Sequence, residues 1–167
     1  PAANIAVEAE KAGIPTRVDF FTEALARELA DQGSQADLIL GNNVFAHCPS
    51  INDFIAGLAV LLKPEGRVVL EFPHGLEMLE RNEFDTIYHE HVFYFTLTAL
   101  EPLFRRHGLV IERVDTLPIH GGSLRLQAAR EQAARPEPSV QAVLNREKDA
   151  GLCDLGVYRQ FAERVLG

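Results

Sequence analysis

The sequence predicts an α/β fold: the second half of a doubly wound, Rossmann-like sheet with a terminal antiparallel β-pair, followed by polar helices. Helical and strand-type segments alternate over the first part of the chain, which is typical of a parallel sheet. Two alternating apolar segments then follow each other closely, which favours an antiparallel pair. The chain has no G-x-G-x-x-G turn, which such sheets commonly carry after their first strand. The pattern therefore predicts only the later half of the sheet.

Turn and capping residues divide the chain into elements. The predicted elements are, in order, a helix over 2–12, a strand over 16–20, a helix capped by Thr22 that runs to about 32, a buried strand over 37–41, a helix carrying the apolar run 54–62, a strand over 67–72, a helix ending at 108, and strands over 109–116 and 123–129. Capping-box spacing, Ser50 with Asp53 and Thr98 with Glu101, predicts two of the helix starts. Residues 63–66 are predicted to form a turn.

The chain is predicted to divide into three parts. Residues 133–138 contain two prolines and read as a linker. We therefore expect an α/β domain over 1–132, this linker, and a C-terminal segment over 139–167 with two polar helical stretches that begins a further helical or second domain.

Composition indicates one soluble domain with a sizeable core, because 47% of the 167 residues are hydrophobic. The net charge of -8 disfavours nucleic acid as a partner, since contacts to phosphates require a surplus of Lys and Arg. Cys48 and Cys153 lie far apart and form no CxxC pair, which favours a reducing cytoplasmic location. No apolar run approaches the roughly 20 residues of a membrane span, so we expect no membrane partner.

The tetrad Tyr88-His89-Glu90-His91 is the strongest candidate for a functional site. It places a phenol, two imidazoles and a carboxylate in consecutive positions, and such groups transfer protons near neutral pH. One alternative is a helix start or surface loop whose polar groups bond one another. The other is a metal site, although HExxH spacing and a cysteine pair are lacking. We predict a proton-transfer site without a metal ion.

Three motifs occur in order along the chain: GNNVFAH over 41–47, IYHEH over 87–91 and HGGSLR over 120–125. Together they resemble the sugar C-methyltransferases, class I enzymes that use S-adenosylmethionine to methylate a ring carbon of a nucleotide-linked keto-deoxysugar. The resemblance covers roughly residues 1–130. Family members usually carry an N-terminal zinc-binding segment, a glycine-rich cofactor loop and a further C-terminal domain, and none is complete here. The resemblance therefore implies a fragment, with the family zinc site outside this chain.

The resemblance also implies roles for the residues of the motifs. A carbon beside a ketone becomes nucleophilic when its proton is removed and the enolate charge is held. By the resemblance His91 is the base, while Tyr88 and His47 hydrogen-bond the sugar oxygen. Glu90 would orient a neighbouring histidine and raise its basicity.

The carboxyl ends of the predicted strands are where we expect the cofactor. Phe20 ends the first predicted strand and could flank adenine, although it could equally be a core aromatic. Gly41 ends the buried strand, and Asn42 and Asn43, which follow it, could contact a ligand or form a turn. We predict cofactor contacts at these four residues.

The connection between the last two strands is the candidate substrate-binding segment. Gly121 and Gly122 beside His120 allow close backbone approach to a substrate, although a plain hairpin connection explains them equally. Arg125 could face an anionic sugar nucleotide or pair with a surface acid, and strand alternation does not choose between these.

Two other function classes stay open. A class I methyltransferase acting on oxygen or nitrogen would need less carbon-acid machinery, so the clustered base disfavours it. A non-catalytic assembly module is favoured by the missing glycine loop, which also predicts weak or absent cofactor affinity. We expect an exposed sheet edge through which the chain could associate with itself.

Overall fold

A computed structural model describes residues 3–167, in which seven helices and four strands form the regular structure. The helices are α1 (Ala3–Lys11), α2 (Glu23–Asp31), α3 (Ile51–Leu61), α4 (Gly75–Arg81), α5 (Leu97–Arg106), α6 (Pro138–Asp149) and α7 (Leu155–Leu166). The strands are β1 (Ala36–Asn42), β2 (Leu62–Pro73), β3 (Leu109–Leu117) and β4 (Ser123–Arg130). Short 3-10 turns cover Phe45–His47 and Phe84–Thr86. No helix in this described part has the length and apolarity that a membrane crossing requires.

The four strands form one sheet in the order β1-β2-β4-β3. Strand β1 runs parallel to β2, and β4 runs antiparallel to both β2 and β3. A parallel β-α-β step followed by an antiparallel pair is the predicted later half of a doubly wound sheet, so the fold-class prediction is confirmed. The polar helices α6 and α7 follow it as expected.

The main core lies on one face of the sheet and is rich in phenylalanine. Phe45, in the turn after β1, stacks on Phe95 with ring centroids 4.4 Å apart and contacts Phe72 of β2 at 5.6 Å. Helices α3 and α5 add Phe54 and Phe104 to this cluster. Each such ring removes a large apolar area from water, about 1.5–3 kcal/mol per side chain. This core fixes the turn that carries the first candidate site residues.

Strand β1 is an edge strand with one open face, whereas the sequence predicted a buried strand. Ile39 packs against the core, but Leu38 and Leu40 on the opposite face are 53% and 65% exposed. An apolar run shows that a strand can be buried and does not show that both of its faces are covered.

The predicted strand over 16–20 is wrong, because these residues have no regular structure. A strand needs a neighbour for its backbone hydrogen bonds, and no strand among residues 3–167 pairs with this segment. Arg17 instead pairs with Asp19 and Glu28 across the segment and α2. Ala2, the predicted first residue of the first helix, lies outside the described residues.

Two predicted helix caps differ from the observed ones. Ser50 occupies the N-cap position of α3 but makes no capping bond, and Asp53 accepts from the backbone N of Glu23 at 3.2 Å instead. Helix α5 begins at the N-cap Thr96, whose hydroxyl accepts from Ala99 N, rather than at Thr98. Capping-box spacing fits several nearby serines and threonines, so tertiary contacts select among them.

The turn predicted over 63–66 lies inside β2, which begins at Leu62. Residues 63–66 interrupt the regular pairing with β1, because the register shifts from Ala36↔Leu62 to Leu38↔Arg67. The later strands, which end at Leu117 and Arg130, match the predicted pair within a residue.

The C-terminal helices pack against the α/β part. Val143 of α6 is buried in the main core, and Phe161 of α7 joins Leu76 and Leu79 of α4 in a second cluster. Ala133 and Ala134, in the predicted linker, are buried. The division into domains at 133–138 stays a prediction.

Candidate active site

The tetrad lies in an irregular segment between the 3-10 turn Phe84–Thr86 and helix α5. The backbone N of His91 donates to the carbonyl of Tyr88 at 3.1 Å, so the tetrad forms a turn. This turn brings Tyr88 and His91 together, with the phenol oxygen 3.2 Å from Nε2 of His91. The His89 side chain points outward and is 91% exposed.

A backbone carbonyl fixes the ring of His91. Its Nδ1 lies 3.0 Å from the carbonyl oxygen of Thr86. Because a carbonyl oxygen only accepts, the geometry assigns the hydrogen to Nδ1, and the neutral ring then has its lone pair on Nε2. That lone pair faces the hydroxyl of Tyr88. The arrangement can accept a proton at Nε2.

His47 has the same kind of anchor. It ends the 3-10 turn that follows β1, and its Nδ1 lies 2.7 Å from the carbonyl oxygen of Glu90. The backbone N of Val92 also donates to the carbonyl of Ala46 at 3.0 Å, which ties the two segments together. The ring centroids of His47 and His91 are 4.9 Å apart. In each neutral ring the anchored Nδ1 carries the hydrogen, so two imidazoles that present Nε2 share one site with a phenol.

The carboxylate of Glu90 reaches neither His47 nor His91. Its oxygen lies 4.0 Å from Nε2 of the exposed His89, and both side chains face solvent. The orienting role predicted for this carboxylate is filled at His47 by the Glu90 carbonyl and at His91 by the Thr86 carbonyl.

A cleft of about 630 Å³ opens beside His47. Phe20, which is 75% exposed, lines it together with Phe21, Val44 and Asn43. The walls combine aromatic and apolar surface with a few polar groups, which is the usual character of a small-molecule site.

The other two predicted cofactor residues are not among the residues that line this cleft. Gly41 is buried at the end of β1, where an added Cβ would lie 2.8 Å from Cδ2 of Leu70. The absence of a side chain at Gly41 therefore allows β1 to pack closely against Leu70. Asn42 is exposed beside it, and only Asn43 of the pair lines the cleft.

The thiol of Cys48, which lines the same cleft, donates to the carbonyl of Val44 at 3.2 Å. Burial raises the pKa of this thiol, so the chemistry of the cleft is not that of a reactive thiolate.

The turn at 120–122 packs tightly against α4 and the segment after it. His120, Gly121 and Gly122 all have positive φ, at 50°, 77° and 121°. An added Cβ would lie 1.9 Å from the carboxylate of Glu83 at Gly121 and 2.6 Å from Cγ of Glu77 at Gly122. Both glycines therefore have a backbone conformation that other residues rarely adopt, and at Gly122 a Cβ would also collide with the base of the Glu77 side chain.

Between this turn and the tetrad lies a cavity of about 10 Å³, which is at the lower limit for holding one water molecule. His91 and His120 both line it, so the structure brings a predicted substrate residue to the predicted base.

Arg125 pairs with an acid, one of its two predicted alternatives. Its Nη2 lies 2.7 Å from Oε2 of Glu71 on the neighbouring strand. The partner is a buried carboxylate rather than the surface acid we expected, while the guanidinium itself is partly exposed.

Sequence reasoning missed a buried pair near the tetrad. His74, at the N-cap of α4, places Nε2 2.8 Å from Oε1 of Glu147 in α6. It is buried. Burial raises the pKa of Glu147, but hydrogen bonds from His74 and Thr98 outweigh this and hold it below its ordinary value. No spacing signal could reveal this pair, because 73 positions separate the two residues.

No group of three or more His, Cys, Asp or Glu side chains within residues 3–167 is arranged to hold a metal ion.

Two family profiles match the chain. One, described as a methyltransferase domain, matches residues 2–114, and the other, described as a C-methyltransferase C-terminal domain, matches residues 118–167. The C-methyltransferase NovU of Streptomyces niveus is 39% identical over 169 residues, which include 99% of this chain. The chain spans 40% of the length of that relative.

Solved methyltransferases overlap part of this chain. Magnesium protoporphyrin IX methyltransferase of Synechocystis PCC 6803 overlaps 62% of this chain and 48% of its own, with 21% identity and a TM-score of 0.46. The 1,6-didemethyltoxoflavin-N1-methyltransferase of Burkholderia thailandensis overlaps 58% of this chain and 44% of its own, with 17% identity and a TM-score of 0.44.

The matching family profiles, which cover both the sheet and the helices that follow it, agree with the resemblance carried by the three motifs. The chain belongs to the methyltransferase-domain family, and its residues 118–167 match the C-terminal domain of C-methyltransferases.

Proposed function

We propose that this chain carries the proton-abstracting side of an S-adenosylmethionine-dependent C-methyltransferase that acts on a nucleotide-linked keto-deoxysugar. The observation that carries the proposal is the anchored ring of His91, whose Nε2 is free to accept a proton beside the hydroxyl of Tyr88. Methylation of oxygen or nitrogen needs no second imidazole and phenol around such a base. The family match supports carbon as the acceptor.

His91 is the base of this reaction. The bond between hydrogen and the carbon next to the ketone breaks, and the proton moves to Nε2 of His91. The electron pair of that bond forms the enolate, whose negative charge develops on the ketone oxygen. Anchoring of Nδ1 by Thr86 keeps the lone pair aimed at one position, which removes the cost of orienting the ring during the reaction.

Tyr88 and His47 are the groups that meet the enolate oxygen. The phenol can donate its hydrogen to that oxygen once substrate displaces it from His91. His47 lies next to His91 and can contribute from the other side when its Nε2 is protonated. Both groups lie on segments tied together by backbone hydrogen bonds, so their spacing is preset.

The cleft beside His47 suits the adenosyl group and its charged sulfur. Exposed Phe20 offers a ring face for adenine, Asn43 offers an amide, and Asp19 and Asp53 add negative charge that favours a sulfonium. S-adenosylmethionine bound there would supply the methyl group for the enolate carbon. His47 lines this cleft and contacts the base, so it connects the methyl-donor side with the acceptor side.

The remaining predicted residues act on the substrate in this proposal. His120 lines the small cavity with His91, and Gly121 and Gly122 hold it there by their backbone conformation. The partly exposed guanidinium of Arg125 could meet a phosphate of the sugar nucleotide. A cytoplasmic location is part of the proposal, since nucleotide-linked sugars are cytoplasmic metabolites.

Exchange of the proton next to the ketone with deuterated water tests the base directly. We expect His91→Gln to slow exchange by about 10²–10⁴-fold, the usual contribution of a general base. His89→Gln is the matched control, because that neighbouring ring is exposed and lies 4.0 Å from the nearest carboxylate oxygen. Equal exchange in the two variants would refute His91 as the base.

Calorimetric titration with S-adenosylmethionine and S-adenosylhomocysteine tests the cleft. We expect weak binding, as the missing glycine loop predicts, that is weakened further when Phe20→Ala removes the exposed ring. Leu40→Ala is the control, because Leu40 is another exposed apolar residue and is not among the cleft residues. Binding that is unaffected by Phe20→Ala would place the cofactor elsewhere.

A further inference from the structure

Tyr94 contacts the carbonyl that anchors the proposed base. Its hydroxyl lies 3.3 Å from the carbonyl oxygen of Thr86, and the same oxygen lies 3.0 Å from Nδ1 of His91. A carbonyl oxygen only accepts and has two lone pairs, so it can hold the hydrogen of the phenol and that of the imidazole together. The rings of Tyr94 and His91 also meet edge to face, with centroids 6.0 Å apart. Two side chains therefore converge on one backbone oxygen.

The segment over 84–91, which contains the tetrad, has few other supports. None of its side chains belongs to a buried apolar cluster. In the described part of the chain, two side chains from outside the segment hydrogen-bond to it, His47 at the carbonyl of Glu90 and Tyr94 at the carbonyl of Thr86. A segment with few buried contacts opens locally at a low cost in free energy. Its geometry therefore depends on these two hydrogen bonds. The large apolar side chains of the segment that lie exposed are Phe84, Ile87 and Tyr88.

The core fixes the backbone on both sides of Tyr94. Phe95 is buried and stacks on Phe45 with ring centroids 4.4 Å apart. Phe93 stacks on Phe95 at 5.6 Å, and the carbonyl of Phe95 accepts from the backbone N of Gly75 at 2.7 Å. Tyr94, between these two phenylalanines, is 38% exposed. Its side chain therefore extends from a rigid part of the fold to its hydrogen-bond partner.

We propose that Tyr94 is a positioning residue for His91, whose hydroxyl holds the Thr86 carbonyl in the orientation that keeps the imidazole hydrogen on Nδ1. This rests on the proposed function, in which His91 is the base. A base must present the lone pair of Nε2, and the neutral ring does so only with its hydrogen on Nδ1. If the carbonyl turned away, the hydrogen could move to Nε2, where it would block proton uptake.

Tyr94→Phe isolates the hydroxyl. Phenylalanine keeps the ring that faces His91 and removes only the donor to the Thr86 carbonyl. Tyr158→Phe is the matched control, because the Tyr158 hydroxyl also donates to a backbone carbonyl, that of Leu152 at 2.8 Å. Both variants lose one hydrogen bond from a phenol to a carbonyl. Only the first loses it at the group that anchors the proposed base.

Proton exchange next to the ketone, KM and thermal unfolding are measured for the parent chain and both variants. We expect the two variants to unfold at similar temperatures. Exchange in Tyr94→Phe should be about tenfold slower with an unchanged KM, because a displaced base lowers the rate and leaves substrate binding intact. Tyr158→Phe should exchange at the parent rate. Equal exchange rates in the two variants would overturn the proposal, because a purely structural hydroxyl affects unfolding alone.

Nitrogen-15 spectra of the histidine rings give a readout that does not depend on activity. We expect His91 of the parent chain to carry hydrogen on Nδ1, and Tyr94→Phe to show a mixture of the two neutral ring forms. Tyr158→Phe should keep the parent signals. An unchanged His91 signal in Tyr94→Phe, or hydrogen on Nε2 in the parent chain, would overturn the proposal. If the parent chain shows no proton exchange, the proposed function fails while these spectra still decide whether Tyr94 sets the form of the His91 ring.

Discussion

Histidine rings are held in two different ways in this protein. His47 and His91 are each anchored by a backbone carbonyl in partly exposed turns. His74 is anchored by the carboxylate of Glu147 in the interior. A carbonyl fixes the tautomer and leaves Nε2 free for a reactant, whereas the carboxylate occupies Nε2 and adds a charge that the fold must satisfy. The anchor, more than the histidine itself, therefore separates the reactive region from the structural one.

The largest expected effect is on stability, at the buried anchor. Glu147→Ala removes four hydrogen bonds and leaves His74 Nε2 and the backbone N–H groups of Leu97 and Thr98 without this acceptor. Breaking a buried pair in this way costs about 3–5 kcal/mol. Glu90→Ala is the matched change in the exposed region and should stay within about 0.5 kcal/mol, since that carboxylate faces solvent. Urea unfolding followed by circular dichroism measures both, and equal losses would remove the distinction between the two regions.

The second effect is on activity, in the exposed region. Tyr88→Phe removes the hydroxyl that faces Nε2 of His91, and we expect proton exchange to fall about 10²–10³-fold, as for loss of one oxyanion donor. The free energy of unfolding should hardly change. Tyr158→Phe is the opposite case, because its hydroxyl donates to the carbonyl of Leu152 at 2.8 Å, away from the site. It should cost about 1 kcal/mol of stability and leave exchange intact.

The next largest effect is expected on acidification, which should lower the free energy of unfolding through the buried carboxylate of Glu147. The pKa of Glu147 is lowered in the folded chain, because hydrogen bonds from His74 and Thr98 outweigh the effect of burial. The stabilisation is therefore fully present above the ordinary pKa of 4.5 and is lost as the pH falls through the lower folded value. Each unit by which the pKa is lowered contributes about 1.4 kcal/mol.

Glu77 adds to this acid sensitivity in the same direction. Burial raises its pKa, but the hydrogen bond from Arg146 and the nearby positive charges lower it overall. Urea unfolding at pH 7, 5 and 4 should show a steep loss below 4.5 that is smaller in Glu147→Gln. An equal pH dependence in parent and variant would contradict the assignment to Glu147.

Most of the fold followed from patterns that are local in sequence. The alternation of apolar runs with capped helices predicted the sheet and its terminal antiparallel pair, because side-chain period and turn chemistry act over a few residues. The strand over 16–20 could not be judged in this way, since a strand exists only beside another strand. The open face of β1 is hidden for the same reason, because Leu38 and Leu40 are as apolar as buried residues.

The sequence predicted which residue types form the site. It did not predict the groups that hydrogen-bond the histidine rings and hold them in place. Tyr88, His91 and His47 stood out because their side chains titrate and lie in motifs. The Thr86 carbonyl that fixes His91 carries no sequence signal, since every residue has a carbonyl. Glu147 was hidden by its distance along the chain and by an unremarkable polar helix.

The smallest expected effect concerns the hydrogen bonds that satisfy the backbone N–H groups at the start of α5. Thr96 accepts from Ala99 N, while Glu147 accepts from the two preceding backbone N–H groups, so three of the free donors at this helix end are satisfied. Thr96→Ala should cost about 1 kcal/mol, the usual value for a lost N-cap.

Ser50→Ala is the matched control at the start of α3, because Ser50 holds the N-cap position without a side-chain bond. It should change stability by less than about 0.5 kcal/mol. If Thr96→Ala is as mild as Ser50→Ala in urea unfolding, Glu147 alone stabilises the start of α5. Glu147 then contributes to stability through the start of α5 as well as through its bond to His74. If Thr96→Ala exceeds about 2 kcal/mol, the cap and the carboxylate act as one unit, and the loss in Glu147→Ala must include a share from the displaced cap.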